Sequence, residues 1–276
     1  MKKLVIIFIV LSNIFSKSIA QGSLFIIGGG DRPPALMKKM IAEAHLKSND
    51  YIAILTMSSA EPDTSYAYIK ADLAPQCKNT IAYLHFTKDN AKDLRRLDSL
   101  KKAKLIFITG GVQTRFMNIV IHTPIYDAIH FAYHHGSMIA GTSAGAAVMS
   151  KIMITGDQIR NDTLYSGSVD RIVKGNMEIA EGLGMITTAI IDQHFIVRGR
   201  YNSLLTVLNQ FPTKVCIGID EETAILVKGN LATVYGRSQV VVLRNPTGMK
   251  INHDNKFGMK QAMISLYLEG DSFKLN

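Results

Sequence analysis

The stretch Ser-Met-Ile-Ala-Gly-Thr-Ser-Ala-Gly-Ala at residues 137–146 decides the fold. It runs from a short apolar segment through a Gly-x-Ser-x-Gly turn into an alanine-rich segment. A strand, this turn and a helix in that order are typical of a nucleophile elbow. Small neighbours let the sharp turn hold its serine beside helix amides that can stabilise an oxyanion. The pattern predicts Ser143 as a nucleophile; the alternative is an ordinary turn whose serine caps the helix.

Outward from this turn, the first half of the chain alternates strand-like and helix-like segments. The helical patterns lie between short apolar runs at 24–27, 51–55, 81–86, 105–108 and 137–140. Parallel strands need crossover connections, so this order predicts an α/β fold with a mainly parallel sheet and helices on both faces.

Glycine-rich turns follow three of these runs, at 28–30, 110–111 and 141–145. In such sheets the turns after the strands meet at one edge, where ligands bind. Beyond Val215, short β-rich runs separated by glycine or polar residues predict added antiparallel strands.

The first twenty residues have the composition of a signal peptide. Lys2 and Lys3 precede an apolar run at 4–11, and residues 18–20 place small side chains at the cleavage positions. The apolar run is too short to serve as a permanent membrane anchor. We therefore expect a leader at 1–20, a secreted or periplasmic mature protein, and a single hydrolytic α/β domain at 21–276.

Charge and cysteine content exclude several classes of function. The formal net charge is +9, and three of the lysines lie in the leader, which leaves +6. Without aromatic residues interleaved among the basic ones, this mild excess favours an anionic substrate over nucleic acid. Cys77 and Cys216 could form one disulfide in an oxidising compartment, although two isolated buried thiols are the preferred interpretation. They form no CxxC pattern, so no structural zinc site is expected, and hydrolysis by a serine requires neither a metal nor a cofactor.

A serine nucleophile needs a base and an orienting carboxylate. Only two histidines follow the elbow, and His194 ends a β-rich run whereas His253 lies in a polar stretch. His194 is therefore the predicted base. Of the carboxylates at 220–222 after the next strand, Glu221 is preferred, with Asp220 and Glu222 as rivals and Asp192 as a local competitor.

The order serine, histidine, acid differs from that of ordinary α/β-hydrolases. Together with this order, five blocks of sequence resemble the cyanophycinases, serine peptidases related to aspartyl dipeptidase and to class I glutamine amidotransferases. The blocks are FIIGGG at 25–30, TGGVQ at 109–113, GTSAGA at 141–146, DQHF at 192–195 with Arg198 and Arg200, and GIDE at 218–221.

The resemblance implies a flavodoxin-like fold, a homodimer, and hydrolysis of the β-aspartyl-arginine bonds of cyanophycin to release β-Asp-Arg dipeptides. Cyanophycin is a poly-aspartate backbone that carries arginine side groups. The resemblance also assigns Ser143 as nucleophile, His194 as base and Glu221 as orienting acid. The residues that it places in the substrate pocket are Gln113, Asp192, Gln193, Arg198 and Arg200.

In the acyl transfer that these roles imply, we expect the amides near Gly111 and Ala144 to form the oxyanion hole. One departure from the family concerns the run after Arg200, where other members often carry an arginine. This chain has Tyr201, Asn202 and Ser203 there. An aspartyl or isoaspartyl dipeptidase acting on small peptides is therefore an alternative, and an inactive peptide-binding protein is a second one.

Overall fold

The computed structural model describes residues 21–160, 163–166 and 169–276, so the predicted leader lies outside the described residues. The strands, in chain order, are β1 (Leu24–Ile27), β2 (Tyr51–Leu55), β3 (Thr80–Tyr83), β4 (Leu105–Ile108), β5 (Met138–Thr142), β6 (Ile152–Arg160), β7 (Thr163–Ser166), β8 (Met177–Glu181), β9 (Ala189–Gln193), β10 (Val215–Ile219), β11 (Thr223–Lys228), β12 (Leu231–Gly236), β13 (Val240–Thr247), β14 (Lys250–Ile251), β15 (Phe257–Gly258), β16 (Gln261–Tyr267) and β17 (Ser272–Lys274).

The helices are α1 (Pro34–Ala44), α2 (Pro62–Leu73), α3 (Leu94–Lys102), α4 (Gln113–Val120), α5 (Pro124–His134), α6 (Ala144–Ala147) and α7 (Tyr201–Gln210). None of the helices in the described ranges combines the length and the apolar content that a membrane crossing requires.

An eight-stranded sheet forms the centre of the fold, in the order β17-β12-β11-β1-β5-β4-β2-β3. Strands β1 to β5 are mutually parallel, and β11, β12 and β17 continue the sheet as antiparallel strands. If β2 is taken as the first strand, the parallel part has the flavodoxin order with β1 in the fifth position. The predicted fold class is confirmed.

Alternating side chains of the parallel strands enter two different cores. In β1, Leu24 and Ile26 pack with helices α3, α4 and α5 on one face, whereas Phe25 and Ile27 pack with α1 and α2 on the other. All four side chains are fully buried. Burial on both faces explains why these strands are continuous apolar runs rather than alternating ones.

A second sheet, in the order β16-β13-β10-β9, was not anticipated from the sequence. One face of it shares the core of the main sheet through Ile191 and Ile217. Its other face packs Ile190 and Cys216 against helix α7. Because β9 and β10 are parallel, their carboxyl ends reach the same side of the molecule, next to the end of β1.

Strands β6, β7 and β8 form a third, antiparallel sheet, which was also not anticipated. It follows the elbow in the chain, and Thr155, Gly156 and Asp157 of β6 lie beside Ser143. The two cysteines are free thiols in different cores, since Cys77 packs beside α2 and Cys216 faces α7.

Candidate active site

Three successive carbonyl groups at the end of β1 organise the site. The carbonyls of residues 27–29 accept, in that order, hydrogen bonds from the amides of Ser143 at 3.1 Å, His194 at 2.8 Å and Glu222 at 3.0 Å. These three donors also have positive φ angles, of 53°, 51° and 54°. A positive φ is costly for a residue with a side chain and persists where the surroundings impose it. The end of β1 therefore sets the backbone of all three segments.

Ser143 occupies a sharp turn between β5 and α6, with φ 53° and ψ −112°. The turn is closed by glycine, because a Cβ on Gly145 would lie 2.2 Å from the carbonyl oxygen of Ile108. Only glycine allows this approach of the helix to β4 without displacing the backbone. The Gly-x-Ser-x-Gly pattern thus has a local steric cause.

A chain of two hydrogen bonds links the serine to a carboxylate. The hydroxyl of Ser143 donates to Nε2 of His194 at 2.8 Å. On the other side of the ring, Nδ1–H donates to Oε1 of Glu221 at 2.5 Å. The carboxylate fixes the tautomer in which Nε2 carries a lone pair, which is the form that can take a proton from the serine.

The rival carboxylates are engaged elsewhere. Asp220 accepts hydrogen bonds from the amides of Ile196 and Val197 and from the hydroxyl of Ser238, so it holds the loop after His194 in place. Glu222 pairs with Arg237 at 3.2 Å, on the exposed side of the turn. Of the three, Glu221 is the one that contacts the imidazole.

Gly29 makes room for the imidazole. A Cβ at this position would lie 2.3 to 2.8 Å from three atoms of the His194 ring, and φ here is +123°. Any larger residue would push the ring away from Ser143. The middle glycine of the triple glycine at 28–30 therefore serves the position of His194 directly, beyond forming a turn.

The surroundings of His194 favour its neutral form. Burial lowers the pKa of the imidazole from its ordinary value, and the nearby charges of Arg198 and Arg200 lower it further. The hydrogen bond to Glu221 acts in the opposite direction and raises the pKa. Because the net shift is downward, the ring is a free base at neutral pH and is able to accept the serine proton.

Two amides stand where an oxyanion hole is expected. Gly111 lines the cavity beside Ser143, and Ala144 begins helix α6 directly after the serine. Within the described part of the chain, neither amide donates a hydrogen bond to another protein atom. Both are therefore free to donate to a negatively charged oxygen on the substrate.

A cavity of about 600 Å³ opens from Ser143 on the side of Gly111. Four of the five residues predicted for the substrate pocket line this cavity: Gln113, Gln193, Arg198 and Arg200. Ser203 lines it as well, so the departure from the family pattern lies on the cavity wall.

Asp192, the fifth predicted residue, does not line the cavity. Its side chain is 1% exposed and accepts a hydrogen bond from Nε of Arg200 at 2.7 Å. It faces away from the cavity because successive residues of β9 point to opposite sides, and it is Gln193 that lines the wall. Asp192 therefore holds Arg200 in place, and its predicted contact with substrate stays a prediction.

Four side-chain atoms in this region are buried without a partner among the described residues: Nη2 of Arg200, Oδ2 of Asp192, Oε1 of Gln193 and Oγ1 of Thr142. Buried polar atoms in native proteins are nearly always satisfied, so this is the part of the site where hydrogen bonding is least complete.

Asp157 is a further cavity residue, which the sequence reasoning missed. It lies on β6, where Gly156 and Asp157 come after the apolar residues at 152–154. A carboxylate at this point of a strand acquires meaning only when β6 is known to border the cavity. Asp157 is the one carboxylate among the described residues of the lining, which also includes Arg198 and Arg200.

A nucleophile elbow on a mainly parallel sheet, joined to an imidazole and a carboxylate, defines a serine-type hydrolase. Comparison with known proteins narrows this class. Residues 24–235 match the model of peptidase family S51, and the chain belongs to this family of serine-type peptidases.

Relatives of the chain include several cyanophycinases, which confirms the resemblance. That of Trichormus variabilis (strain ATCC 29413 / PCC 7937) is 30% identical over 239 residues, which cover 83% of this chain and 76% of the relative. That of Nostoc sp. (strain PCC 7120 / SAG 25.82 / UTEX 2576) is 34% identical over 185 residues, 64% of this chain and 59% of the relative. The second alignment thus spans about three fifths of its relative's length.

Solved structures agree on the fold. A peptidase from an acI-B1 Actinobacterium superposes with a TM-score of 0.69 at 21% identity, over 93% of this chain and 98% of the other. A putative peptidase E protein from Listeria monocytogenes EGD-e gives 0.53 at 14% identity, over 79% of this chain and 100% of the other. At these identities the likeness concerns architecture alone.

The environment of His194 generates a prediction about pH. We expect the acidic limb of kcat/KM to have its midpoint below 6.5, because protonation of Nε2 removes the base and burial lowers its pKa. Glu221→Gln should lower the midpoint further and reduce kcat by about 10⁴-fold. Arg198→Gln should raise the midpoint, since a charge that lowers the pKa is lost. Profiles of kcat/KM against pH for the wild type and the two variants check this. A midpoint that moves in the same direction in both variants would contradict it.

Proposed function

We propose that this protein is a cyanophycinase-type exopeptidase that works through an acyl-enzyme on Ser143. The observation that carries the proposal is the continuous chain of hydrogen bonds from Ser143 through His194 to Glu221. In the proposed reaction, His194 takes the proton of the hydroxyl as Oγ attacks a substrate carbonyl. The amides of Gly111 and Ala144 receive the oxyanion.

The second half of the reaction mirrors the first. Protonated His194 gives its proton to the departing amine, the C–N bond breaks, and an ester with Ser143 remains. Water, deprotonated by His194, then attacks the ester and releases the acid. The charge on the imidazolium that forms twice in the cycle is stabilised by Glu221, which is already hydrogen-bonded to it.

Release of β-Asp-Arg dipeptides, the expected product, indicates which bond of cyanophycin is cleaved. Cutting the β-aspartyl-arginine link itself, as the sequence-based expectation had it, would free arginine and leave poly-aspartate. A β-Asp-Arg dipeptide keeps that link, so its release requires cleavage of the backbone amide between neighbouring aspartates. We therefore propose the backbone amide as the scissile bond, with the arginine side groups left in place.

The charges of the cavity beside Gly111 support the proposal that the acyl part of the substrate is an aspartate that carries an arginine side group. Such a unit bears a carboxylate on its arginine and a guanidinium at the far end. Arg198 and Arg200 suit the carboxylate, since arginine binds it in a bidentate manner. Asp157 suits the guanidinium, which needs an acidic partner when it leaves water. The cavity of about 600 Å³ offers both charges in one space.

An isoaspartyl or aspartyl dipeptidase is the second candidate, and Ser203 is the observation that favours it. With a serine on the wall where relatives often carry arginine in the same run, the cavity has less positive charge for a substrate with many carboxylates. Smaller peptides with a single free carboxylate would lose less binding energy through this reduction in positive charge. The same serine chemistry would serve either substrate.

We further propose that the protein is exported and acts outside the cytoplasm. Support comes from the basic start, the apolar run at 4–11 and the small residues at 18–20. We expect the amino terminus of the protein from its native source to begin at Gln21, which Edman sequencing or intact mass would read directly. An amino terminus that retains the first twenty residues would contradict export by this leader. The homodimer stays a prediction of the resemblance.

Replacement of the nucleophile tests the proposed mechanism. Ser143→Ala should lower kcat by about 10⁵- to 10⁶-fold, because no other group can form the acyl ester. The melting temperature should change little, since the side chain contributes one hydrogen bond to the imidazole. A fluorophosphonate probe should label the wild type at Ser143, and Ser99→Ala on α3 is the matched control. A wild type that resists the probe would instead indicate a binding protein.

Asp157 allows a test of the substrate class. The test substrate is a dimer of β-Asp-Arg units joined through the aspartate backbone. A second peptide is identical except that citrulline replaces the arginine of the first unit. We expect the wild type to prefer arginine by at least about 10-fold, because citrulline has the same shape without the charge. Asp157→Asn should lose this preference, and Asp98→Asn on α3 should keep it. A preference unchanged in Asp157→Asn would contradict this role.

A further inference from the structure

Ser143 lies between two separate openings. Besides the cavity of about 600 Å³, a groove of about 250 Å³ reaches the serine from the other side. Its described lining residues are Gly29, Gly30, Arg32, Ser65, Tyr68, Ile69, Gly110, Thr142, Ser143 and His194. Among the described lining residues, Ser143 is the one that both openings share, so a substrate attacked by its hydroxyl can extend in two directions.

The positions of the base and of the oxyanion amides distinguish the two directions. His194 lines the small groove, whereas Gly111 lines the large cavity. In acyl transfer the protonated base must reach the nitrogen of the departing amine. The part of the substrate that leaves as an amine therefore extends past the imidazole into the small groove, and the acyl part occupies the large cavity.

Arg32 gives this groove a chemical character. Among the described lining residues it is the one with a full charge, given that the pKa of His194 is lowered. Its Nε donates to Asp72 at 2.6 Å and its Nη1 donates to the carbonyl of Gly30 at 3.2 Å. A guanidinium has five N–H donors, so these two contacts fix its orientation and leave three donors free.

The other groove residues complete a short channel of mixed polar and apolar character. Ser65 and Tyr68 lie one turn apart on α2 and form the wall opposite Gly110. Tyr68 is 65% exposed, so the groove is open to solvent at its outer end. A fragment with a polar end can therefore enter from outside and leave without passing through the larger cavity.

We propose that this groove is the leaving-group subsite, and that Arg32 binds the free carboxylate of the fragment released as an amine. The inference rests on the proposed function, since it assumes cleavage at Ser143. A carboxylate lies at the end of that fragment for both candidate substrates, the aspartate-backbone dimer and an aspartyl dipeptide. Arg32 then acts as a specificity residue that favours bonds next to a free carboxyl end. Asp72 is the residue that positions its guanidinium.

A pair of peptides tests the subsite. Both are dimers of β-Asp-Arg units, one with the α-carboxylate of the second aspartate free and one with it amidated. We expect the wild type to favour the free acid in kcat/KM by about 10- to 100-fold, as a charge-assisted hydrogen bond to carboxylate would give. Arg32→Gln should reduce this preference to near unity, because the free acid then gains no more than the amide from the groove. Arg95→Gln, which removes the same charge from an exposed site on α3, should keep the full preference.

A second variant tests the groove without touching the ion pair. Ser65→Phe should fill the groove and lower kcat/KM on both peptides by about 10-fold or more, with fluorophosphonate labelling of Ser143 retained. An Arg32→Gln enzyme with the wild-type preference, or a Ser65→Phe enzyme with unchanged rates, would overturn the subsite and leave the proposed function standing. Absence of turnover of either peptide by the wild type would overturn both.

Discussion

Three consecutive carbonyl groups, at residues 27–29, hold the site together. They lie at the end of a strand that is buried on both faces, so their positions are fixed by the core. The amides that they bind come from an elbow of the main sheet, from the end of a strand in the second sheet, and from the turn before β11. One strand end thus aligns parts of two sheets. Because each donor has a positive φ, a shift of β1 by a single residue would disturb all three segments at once.

The same strand end explains why glycine precedes the catalytic chemistry. Backbone at 28–30 passes so close to the imidazole and to Glu221 that a Cβ at Gly29 or Gly30 would lie within 3 Å of one or the other side chain. The absence of side chains lets the hydrogen-bonded pair His194–Glu221 pack directly on main chain. Burial against that backbone also lowers the pKa of the imidazole. The close approach of this backbone therefore determines both the position of the His194 ring and the lowering of its pKa.

Much of this arrangement was predictable, because it depends on local patterns in the sequence. The elbow at Ser143 needs glycine on both sides, and the parallel strands need apolar runs, so both leave patterns that can be read from a single chain. His194 and Glu221 were found because each follows a strand whose carboxyl end must reach the same edge. The choice of Glu221 over its neighbours Asp220 and Glu222 depended on the family resemblance as well, since three adjacent carboxylates give no periodic signal.

The remaining features depend on contacts between distant segments. Asp192 was predicted to touch substrate, but its direction follows from the pleat of β9, which turns it away and under Arg200. Asp157 and Arg32 lie on segments whose position beside Ser143 results from packing of β6 and of the loop after β1. Separation into two sheets was equally hidden, because β9 and β10 have the same composition as strands of the main sheet.

The residues of the site are far apart along the chain, which has a consequence for when the site forms during folding. Its parts come from residues 27–29, 143, 194 and 221, so Ser143 and His194 meet only after the last third of the chain has folded onto the first. A polypeptide that is still on the ribosome accordingly carries a serine without its imidazole partner. Proteolytic competence arrives only with the finished tertiary structure, which gives the enzyme a latency that other peptidases obtain from an inhibitory pro-segment.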